Sequence, residues 1–200
     1  MTPFVADRDV FTIDAGEFAK HEFSLRVQSP WFALRVRARH EKSVFEQLQA
    51  RRYEAFLPLY TAKRRWADRW KVLSLPLFAG YVFCRFEPGK RVRVLATPGV
   101  IDVVRVGGEP AAIDGSEIEA IRRVIDSRLE AEPYPSLIRG QRVTVSDGPL
   151  RGVAGTLVEV RSGVRLVISI ELLQRSVQVE IERDRVIPLE QRTAVGKVVK

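Results

Sequence analysis

Residues 143–157 read VTVSDGPLRGVAGTL, and this stretch sets the architecture of the C-terminal part of the chain. Glycine recurs at positions 148, 152 and 155, as expected where a strand turns sharply or another backbone passes closely, and Pro149 restrains the turn between them. The neighbouring runs rich in β-branched residues are 154–160, 165–170 and 176–181. Short runs of this kind, separated by turns, predict a small all-β barrel over residues 137–189.

Working outward, the segment 31–129 combines strands with helices. The predicted elements are strands at 31–38, 77–86 and 101–106, helices at 41–52 and from Asp114 to 129, and a long hairpin whose arms are 55–60 and 72–76. Apolar and polar residues alternate along 31–38, which is typical of a strand with one buried face. Asp114 followed by Glu117 forms a capping pair at the start of the second helix. This order favours an α+β fold with helices on an antiparallel sheet.

Composition shifts mark the remaining boundaries. Residues 130–136 contain two prolines and are predicted to be a linker between the two domains. Residues 1–30 lack sustained periodicity and are interpreted as an N-terminal extension, partly disordered, and residues 190–200 as a C-terminal tail.

The composition excludes several classes of protein. The chain has 200 residues, a net charge of +8 and a single cysteine, Cys84, which cannot form an intramolecular disulfide. Two histidines provide too few ligands for a closed zinc site, and no apolar run is long enough for a membrane span. The N-terminus has no secretion signal, so we expect a cytoplasmic protein that does not bind membranes. Residues 31–127 carry 18 basic and 11 acidic side chains, an excess that favours an anionic partner such as nucleic acid.

The sequence also argues against catalysis. It contains no glycine-rich phosphate loop, no strand-to-helix nucleophile elbow and no His-Glu metal pair. His40 has no nucleophile near it in sequence, and Cys84 lies in mid-strand, where a small buried side chain is the ordinary interpretation. We therefore expect a monomeric binding protein that is not an enzyme and holds no cofactor or metal.

Two groups of stretches resemble one family. The spacing from Val143 to Leu157 resembles the KOW motif of ribosomal proteins and NusG-type transcription factors. The stretches WFAL at 31–34, FAGYVF at 78–83, TPGV at 97–100 and PAAI at 110–113 resemble the NGN domain of the NusG family, in the same order and at similar intervals. The resemblance spans residues 31–189 and implies an NGN domain over 31–129 followed by an SH3-like KOW barrel.

The resemblance also implies a function. Members of the family bind RNA polymerase during elongation. Their NGN domain docks an apolar patch on the clamp helices and bridges the DNA cleft, and it thereby suppresses pausing or termination. The KOW barrel recruits a second partner, a ribosomal protein or Rho. A KOW barrel alone would also fit an alternative, a ribosome-associated RNA-binding protein. The NGN-like stretches of the N-terminal half argue against this alternative.

Departures from the family pattern favour one branch. Ala79 replaces the proline of the common FPGY, and Leu173 stands where general NusG has an aromatic that contacts its ribosomal partner. The stretch LPLF at 75–78 resembles the specialised antiterminators of RfaH and UpxY type, although Lys90-Arg91-Val92 replaces the His-Thr-Thr of RfaH itself. RfaH-type factors can store the barrel as a helical hairpin, but the β-branched density of 164–181 predicts strands.

Candidate binding residues follow from alternation, charge and resemblance. Along 81–86, Val82, Cys84 and Phe86 share one face and Tyr81, Phe83 and Arg85 the other. Because arginine is rarely buried unpaired, we expect the second face to be exposed, unless a helix of the same domain covers it. The polymerase-binding candidates are Tyr81, Phe83 and Arg35; the nucleic-acid-binding candidates, for the displaced single DNA strand, are Arg37, Arg39, His40, Lys42, Lys63, Arg64 and Arg65; and the KOW partner-binding candidates are Leu172, Leu173 and Arg175.

Overall fold

The computed structural model describes residues 29–66, 69–134, 140–160 and 163–189. The N-terminal unit contains strands β1 (Trp31–Val36), β2 (Glu54–Phe56), β3 (Leu59–Trp66), β4 (Arg69–Pro76), β5 (Tyr81–Arg85), β6 (Val100–Val103), β7 (Arg105–Val106), β8 (Glu109–Pro110) and β9 (Ala112–Ile113), and helices α1 (Glu41–Ala50), α2 (Arg91–Leu95) and α3 (Gly115–Asp126). The predicted extension up to residue 28 and the predicted tail 190–200 lie outside the described residues.

Strand β1 is the centre of the N-terminal sheet. It pairs antiparallel with β5 on one side and with β6 and β9 on the other, and β2 completes the sheet beyond β5. Phe32, Leu34 and Val36 pack with residues of α1 and α2, whereas Trp31 and Ala33 are buried on the opposite face with residues of α3. The expectation of a single buried face is therefore wrong for β1, because helices cover both faces of a central strand.

A hairpin forms as predicted, but its arms differ from those expected: residues 55 and 56 belong to β2, which pairs with β5, and the two strands of the ribbon are β3 and β4. Strands β3 and β4 pair only with each other within the described part of the chain, in register from Leu59 opposite Pro76 to Trp66 opposite Arg69. The strand expected over 77–86 is shorter, because residues 77–80 turn into β5 with Gly80 at φ +83°. The carboxylate of Glu41 accepts a hydrogen bond from the Gly80 N–H at 2.9 Å and holds this turn against α1.

Helix α3 begins where the capping pattern predicts. Asp114 Oδ1 accepts a hydrogen bond from the Ser116 N–H at 2.8 Å, and Ile118, Ile121 and Val124 form the buried stripe. Glu117 does not complete the predicted reciprocal cap, since its carboxylate instead accepts a hydrogen bond from the N–H of Glu171 in the C-terminal unit. No described helix is long and apolar enough to cross a membrane.

The C-terminal unit is built of strands, as its β-branched runs predict. It contains β10 (Ala131–Tyr134), β11 (Gln141–Val145), β12 (Ala154–Val160), β13 (Gly163–Ile170), β14 (Arg175–Ile181) and β15 (Val186–Pro188), in the spatial order β10-β14-β13-β12-β11-β15. Gly148 and Gly152 take φ values of +80° and +81° in the turn between β11 and β12, which explains the glycine spacing.

Two expectations about this unit need correction. The described strands do not close into a barrel, because β10 and β15 end the sheet without pairing with each other. The predicted linker 130–136 contains β10, which pairs with β14 from Ala131 opposite Val179 to Tyr134 opposite Ser176. The sheet therefore begins only a few residues after α3 ends.

Candidate functional site

The two units share one apolar cluster. Helix α3 packs against β13, and the buried residues Ile118 and Ile121 belong to the same cluster as Ile168 and Ile170. An open cleft of about 830 Å³ lies beside this contact, lined by the start of α3 and by β12 and β13. The C-terminal sheet is thus packed on the N-terminal unit.

Polar contacts cross the same interface at three points. Arg175 Nη1 donates to the carbonyl of Ala79 at 3.1 Å, and its guanidinium carbon lies 5.1 Å from the ring centroid of Tyr81. Arg123 Nη1 donates to the carbonyl of Arg151 at 2.9 Å. The Glu171 N–H donates to the Glu117 carboxylate at 3.3 Å.

The contact at Glu117 is strained electrostatically. Burial raises the pKa of the Glu117 carboxyl, the hydrogen bond from Glu171 opposes that rise, and the negative charges of Glu171 and Asp114 add to it. The charged form of Glu117 is therefore disfavoured at this position, whereas the contacts of Arg175 with Ala79 and Tyr81 join the two units.

Tyr81 and Arg35 lie together on the N-terminal sheet. They are register partners on β5 and β1, with Arg35 exposed and Tyr81 half-buried beneath Arg175. Strand alternation therefore correctly places Tyr81 at a surface of the N-terminal unit. In the packed arrangement that surface is partly covered by the C-terminal sheet.

Phe83 corrects the expectation of an exposed aromatic pair. Its exposed fraction is 0%, and its ring centroid lies 5.4 Å from that of Phe78, edge to face, and 6.2 Å from that of Phe56. Phe83 is therefore a core residue in this structure.

The inference failed because Arg85 is not unpaired. Arg85 Nη1 forms an ion pair with Glu54 at 3.0 Å, and its guanidinium carbon lies 4.9 Å from the Trp31 ring centroid. Glu54 also pairs with Arg122 of α3 at 3.0 Å. A paired arginine can share a largely buried face, so Arg85 gives no signal of exposure.

The three residues predicted to bind a second partner lie between the end of β13 and the start of β14. Leu172 and Leu173 are partly buried against the shared apolar cluster, and Arg175 contacts Tyr81. The loop between β13 and β14 therefore meets the same surface as the polymerase-binding candidate Tyr81. The resemblance to the NusG family indicates that this loop binds a partner. Nothing in the sequence near the loop indicates that it contacts the N-terminal unit of the same chain.

The predicted nucleic-acid-binding residues form two groups. Arg37, Arg39, His40 and Lys42 are exposed along the connection from β1 into α1, where His40 Nδ1 lies 3.1 Å from the carbonyl of Ala38. Lys63 and Arg65 are exposed on β3, and the side chain of Arg64 lies outside the described residues. The first group lies between β1 and α1 and the second on β3, so the two are treated as separate surfaces.

The ribbon also exposes two apolar side chains, of which the sequence indicates only Trp70, one of the two tryptophans that stand among the hairpin cations. Trp70 and Val72 on β4 are 69% and 66% exposed, although both are apolar. The sequence pattern that indicates an exposed surface here is the placement of tryptophans among the cations of residues 63–71.

Neither nucleophile chemistry nor metal binding is supported by the described side chains. Burial, with a smaller contribution from the charge of Glu54, raises the pKa of Cys84 to about 12, so its thiol stays protonated at neutral pH. Within the described ranges, no three His, Cys, Asp or Glu side chains are grouped to hold a metal ion.

Comparison with known proteins connects this architecture to one family. The family model described as "Transcription termination factor nusG" matches residues 29–122. The "Transcription termination/antitermination protein NusG" of Pseudomonas aeruginosa is 34% identical over an alignment of 116 residues, which covers 54% of this chain and 64% of that relative. The match thus spans somewhat less than two thirds of the relative's length.

A solved structure shows the same fold. The structure titled "Domain interaction in Thermotoga maritima NusG" superposes with a TM-score of 0.50 at 21% identity, covering 82% of this chain and 99% of that one. The likeness extends over both units described above.

Proposed function

We propose that the chain is a member of the NusG family, a transcription elongation and antitermination factor that binds RNA polymerase through its N-terminal unit; the similarity of residues 29–122 to the family model and the 34% identity to a NusG protein support this. The observation that carries this proposal is the family match over residues 29–122, which contains the surface formed by Tyr81 and Arg35. The factor would suppress pausing or termination by holding the polymerase closed around DNA. It would act by binding, without catalysis.

Within this proposal Tyr81 is the aromatic anchor and Arg35 its charged neighbour. Phe83 would not contact polymerase itself; its buried ring would stabilise β5, the strand that carries Tyr81. Buried aromatic anchors commonly dominate the binding free energy of an interface, whereas surrounding contacts contribute little.

Capture of purified RNA polymerase by the immobilised chain tests the proposal. Tyr81→Ala should weaken binding about thirtyfold, corresponding to roughly 2 kcal/mol. Val106→Ala is the matched control, because Val106 is an exposed apolar residue on β7. Failure of the wild-type chain to capture polymerase, with co-sedimentation on ribosomes instead, would overturn the proposal in favour of a ribosome-associated protein.

The packed arrangement further suggests that binding requires the C-terminal sheet to move. Arg175 covers the ring of Tyr81, so the sheet and polymerase would compete for one surface. Once released, Leu172, Leu173 and Arg175 would be free to bind a second partner, for which a ribosomal protein or Rho is the proposed class. We place the chain closer to the operon-specific paralogues of RfaH and UpxY type than to the general factor.

Removal of the Arg175 side chain should increase polymerase affinity. Arg175→Ala loses one cation–π contact and one hydrogen bond from the packed state, together worth about 1–2 kcal/mol, so affinity should rise about five- to thirtyfold where the packed state predominates. Arg165→Ala is the control, since Arg165 is paired in register with Glu180 of β14. An unchanged affinity in isothermal titration would show that the two surfaces do not compete.

The exposed cations between β1 and α1 are proposed to contact the displaced single DNA strand. If they do, the affinity for single-stranded DNA should fall by about 0.7 log units per log unit of salt for each neutralised phosphate. Combined Ala substitution of Arg37, Arg39 and Lys42 should flatten this slope by about 2. Arg142→Ala with Arg151→Ala, exposed cations of the C-terminal unit, should change it little. An equal slope in the triple variant and the wild type would assign these side chains to solvent.

A further inference from the structure

One peptide group in the turn between β4 and β5 is bound from both ends by charged side chains. This peptide joins Ala79 to Gly80. The Gly80 N–H donates a hydrogen bond to Glu41 Oε1 at 2.9 Å, and the Ala79 carbonyl accepts one from Arg175 Nη1 at 3.1 Å. Because the N–H and C=O of a trans peptide point in opposite directions, the carboxylate and the guanidinium lie on opposite sides of it.

The conformation of the turn decides which end of the peptide faces which side chain. The turn is closed by a hydrogen bond of 3.0 Å from the Tyr81 N–H to the Phe78 carbonyl, and its third residue, Gly80, has φ +83°. A positive φ at this position is typical of a type II turn, whereas in a type I turn the central peptide is turned over. Turning it over would direct the carbonyl toward Glu41 and the N–H toward Arg175.

Glu41 holds this peptide from inside the N-terminal unit. Among the residues that the structure describes, Glu41 is the one charged residue that is buried, with an exposed fraction of 6%. It is the first residue of α1, where the helix dipole favours a negative charge, but a buried carboxylate still requires hydrogen-bond donors. A carbonyl oxygen in place of the Gly80 N–H would repel it. Glu41 therefore favours the type II turn.

The outer side of the same turn forms a site for a guanidinium group. The guanidinium carbon of Arg175 lies 5.1 Å from the ring centroid of Tyr81, while its Nη1 binds the Ala79 carbonyl. A planar guanidinium can stack on a ring and donate hydrogen bonds at the same time. The negative charge of Glu41 at the N–H end polarises the peptide and strengthens its carbonyl as an acceptor. The carbonyl and the ring together are called the guanidinium site below.

We propose that Glu41 is a positioning residue, which fixes the orientation of the Ala79–Gly80 peptide and thereby forms the guanidinium site that Arg175 occupies in the packed arrangement. Glu41 acts through the peptide group. The inference rests on the proposed function only for its consequence, that a buried residue of α1 controls how often Tyr81 is available to polymerase. The role of Glu41 in the packing of the two units can be measured without polymerase.

Nuclear magnetic resonance of the full chain tests the packing directly. The ring of Tyr81 should shift the side-chain signals of Arg175 upfield in the wild type, and Glu41→Met, which removes the oxygen acceptor, should abolish most of this shift. Glu41→Gln should retain it, because the amide oxygen still accepts a hydrogen bond from the Gly80 N–H. Glu46→Met is the matched control, since Glu46 is an exposed glutamate of the same helix.

Substitution of Gly80 reaches the same peptide by a different route. Beyond its chain neighbours, no atom lies within 4 Å of a Cβ at Gly80, so a substitution there acts on the backbone and not by collision. Gly80→Ala should favour the turned-over peptide and abolish the Arg175 shift, because alanine disfavours positive φ. Gly80→Asn should retain more of the shift although asparagine is larger, because it tolerates this conformation. Steric exclusion would give the opposite order.

A double-mutant cycle connects the packing to polymerase binding. Arg175→Ala should raise the polymerase affinity of the wild-type chain about five- to thirtyfold, but in the Glu41→Met background it should change affinity less than about twofold, because the guanidinium site is already lost. Equal effects of Arg175→Ala in both backgrounds would show that the two residues act independently and would overturn the proposal.

Two further results would overturn the proposal. One is a wild-type spectrum in which Tyr81 does not shift Arg175. The other is an Arg175 shift that persists in Glu41→Met and Gly80→Ala variants whose circular dichroism matches the wild type. If Glu41→Met does not fold, the order of Gly80→Ala and Gly80→Asn decides. A chain that fails to capture polymerase but shows the expected shifts would refute the proposed function and leave the role of Glu41 in place.

Discussion

Phe83→Ala should lower the free energy of unfolding by about 3–5 kcal/mol, because a fully buried aromatic ring is removed. The ring is fully buried between Phe78 and Phe56, and the surrounding sheet is covered on both faces, so the cavity left by truncation cannot collapse easily. Urea denaturation followed by circular dichroism measures the change, and the melting temperature should fall by many degrees.

Tyr81→Ala is the matched variant for Phe83→Ala. The two aromatics lie two residues apart on β5, but Tyr81 is only half-buried, so its removal should change stability far less and polymerase affinity far more. The interpretation of Phe83 as a core residue would be contradicted by a Phe83→Ala variant that melts like the wild type yet binds polymerase weakly. That result would restore Phe83 to the exposed face predicted from alternation.

Gly155→Ala should destabilise the C-terminal unit by about 2–3 kcal/mol. A Cβ atom at this position would lie 2.7 Å from the backbone oxygen of Val167 and 2.8 Å from Leu166 Cδ1. Val167 belongs to the neighbouring strand and is register partner of Thr156, so the ladder between β12 and β13 would have to shift to accommodate the methyl group. Thermal melting of the full chain reports this loss.

Gly115→Ala provides the control with the same chemical change. No atom lies within 4 Å of a Cβ at Gly115, and its backbone is helical at the start of α3. Alanine there should leave stability unchanged or raise it by up to about 1 kcal/mol, because it reduces the freedom of the unfolded chain. Equal melting temperatures for Gly155→Ala and Gly115→Ala would show that the β12–β13 ladder tolerates a side chain at position 155.

Features with a local cause could be predicted from the sequence. The ribbon follows from alternating arms around a polar turn, the start of α3 from Asp114, and the turn between β11 and β12 from Gly148 and Gly152. Each depends on residues within a few positions of one another, where backbone preference and capping chemistry act directly. The exposed cations of both nucleic-acid candidates were likewise visible, since charged side chains are mostly exposed.

Features that depend on distant partners could not be predicted in the same way. The burial around Phe83 depends on Glu54, which neutralises Arg85 from 31 positions away. The contact between Arg175 and Ala79 joins residues 96 positions apart. The two prolines of residues 130–136 predict a linker, yet Pro133 is tolerated in β10 because β10 is an edge strand whose described pairing is with β14.

The position of β10 also determines how strongly the packed state must be held. Only residues 127–130 separate α3 from β10, and four extended residues span at most about 14 Å. A tether this short keeps the two surfaces at an effective concentration on the order of millimolar. An internal contact with a dissociation constant of about 1 mM, equivalent to only about 4 kcal/mol, would therefore suffice to cover Tyr81 half of the time. A competing partner present at micromolar concentration must bind about a thousandfold more tightly than this internal contact to displace it. The short tether therefore allows a weak internal contact to exclude partners of low affinity.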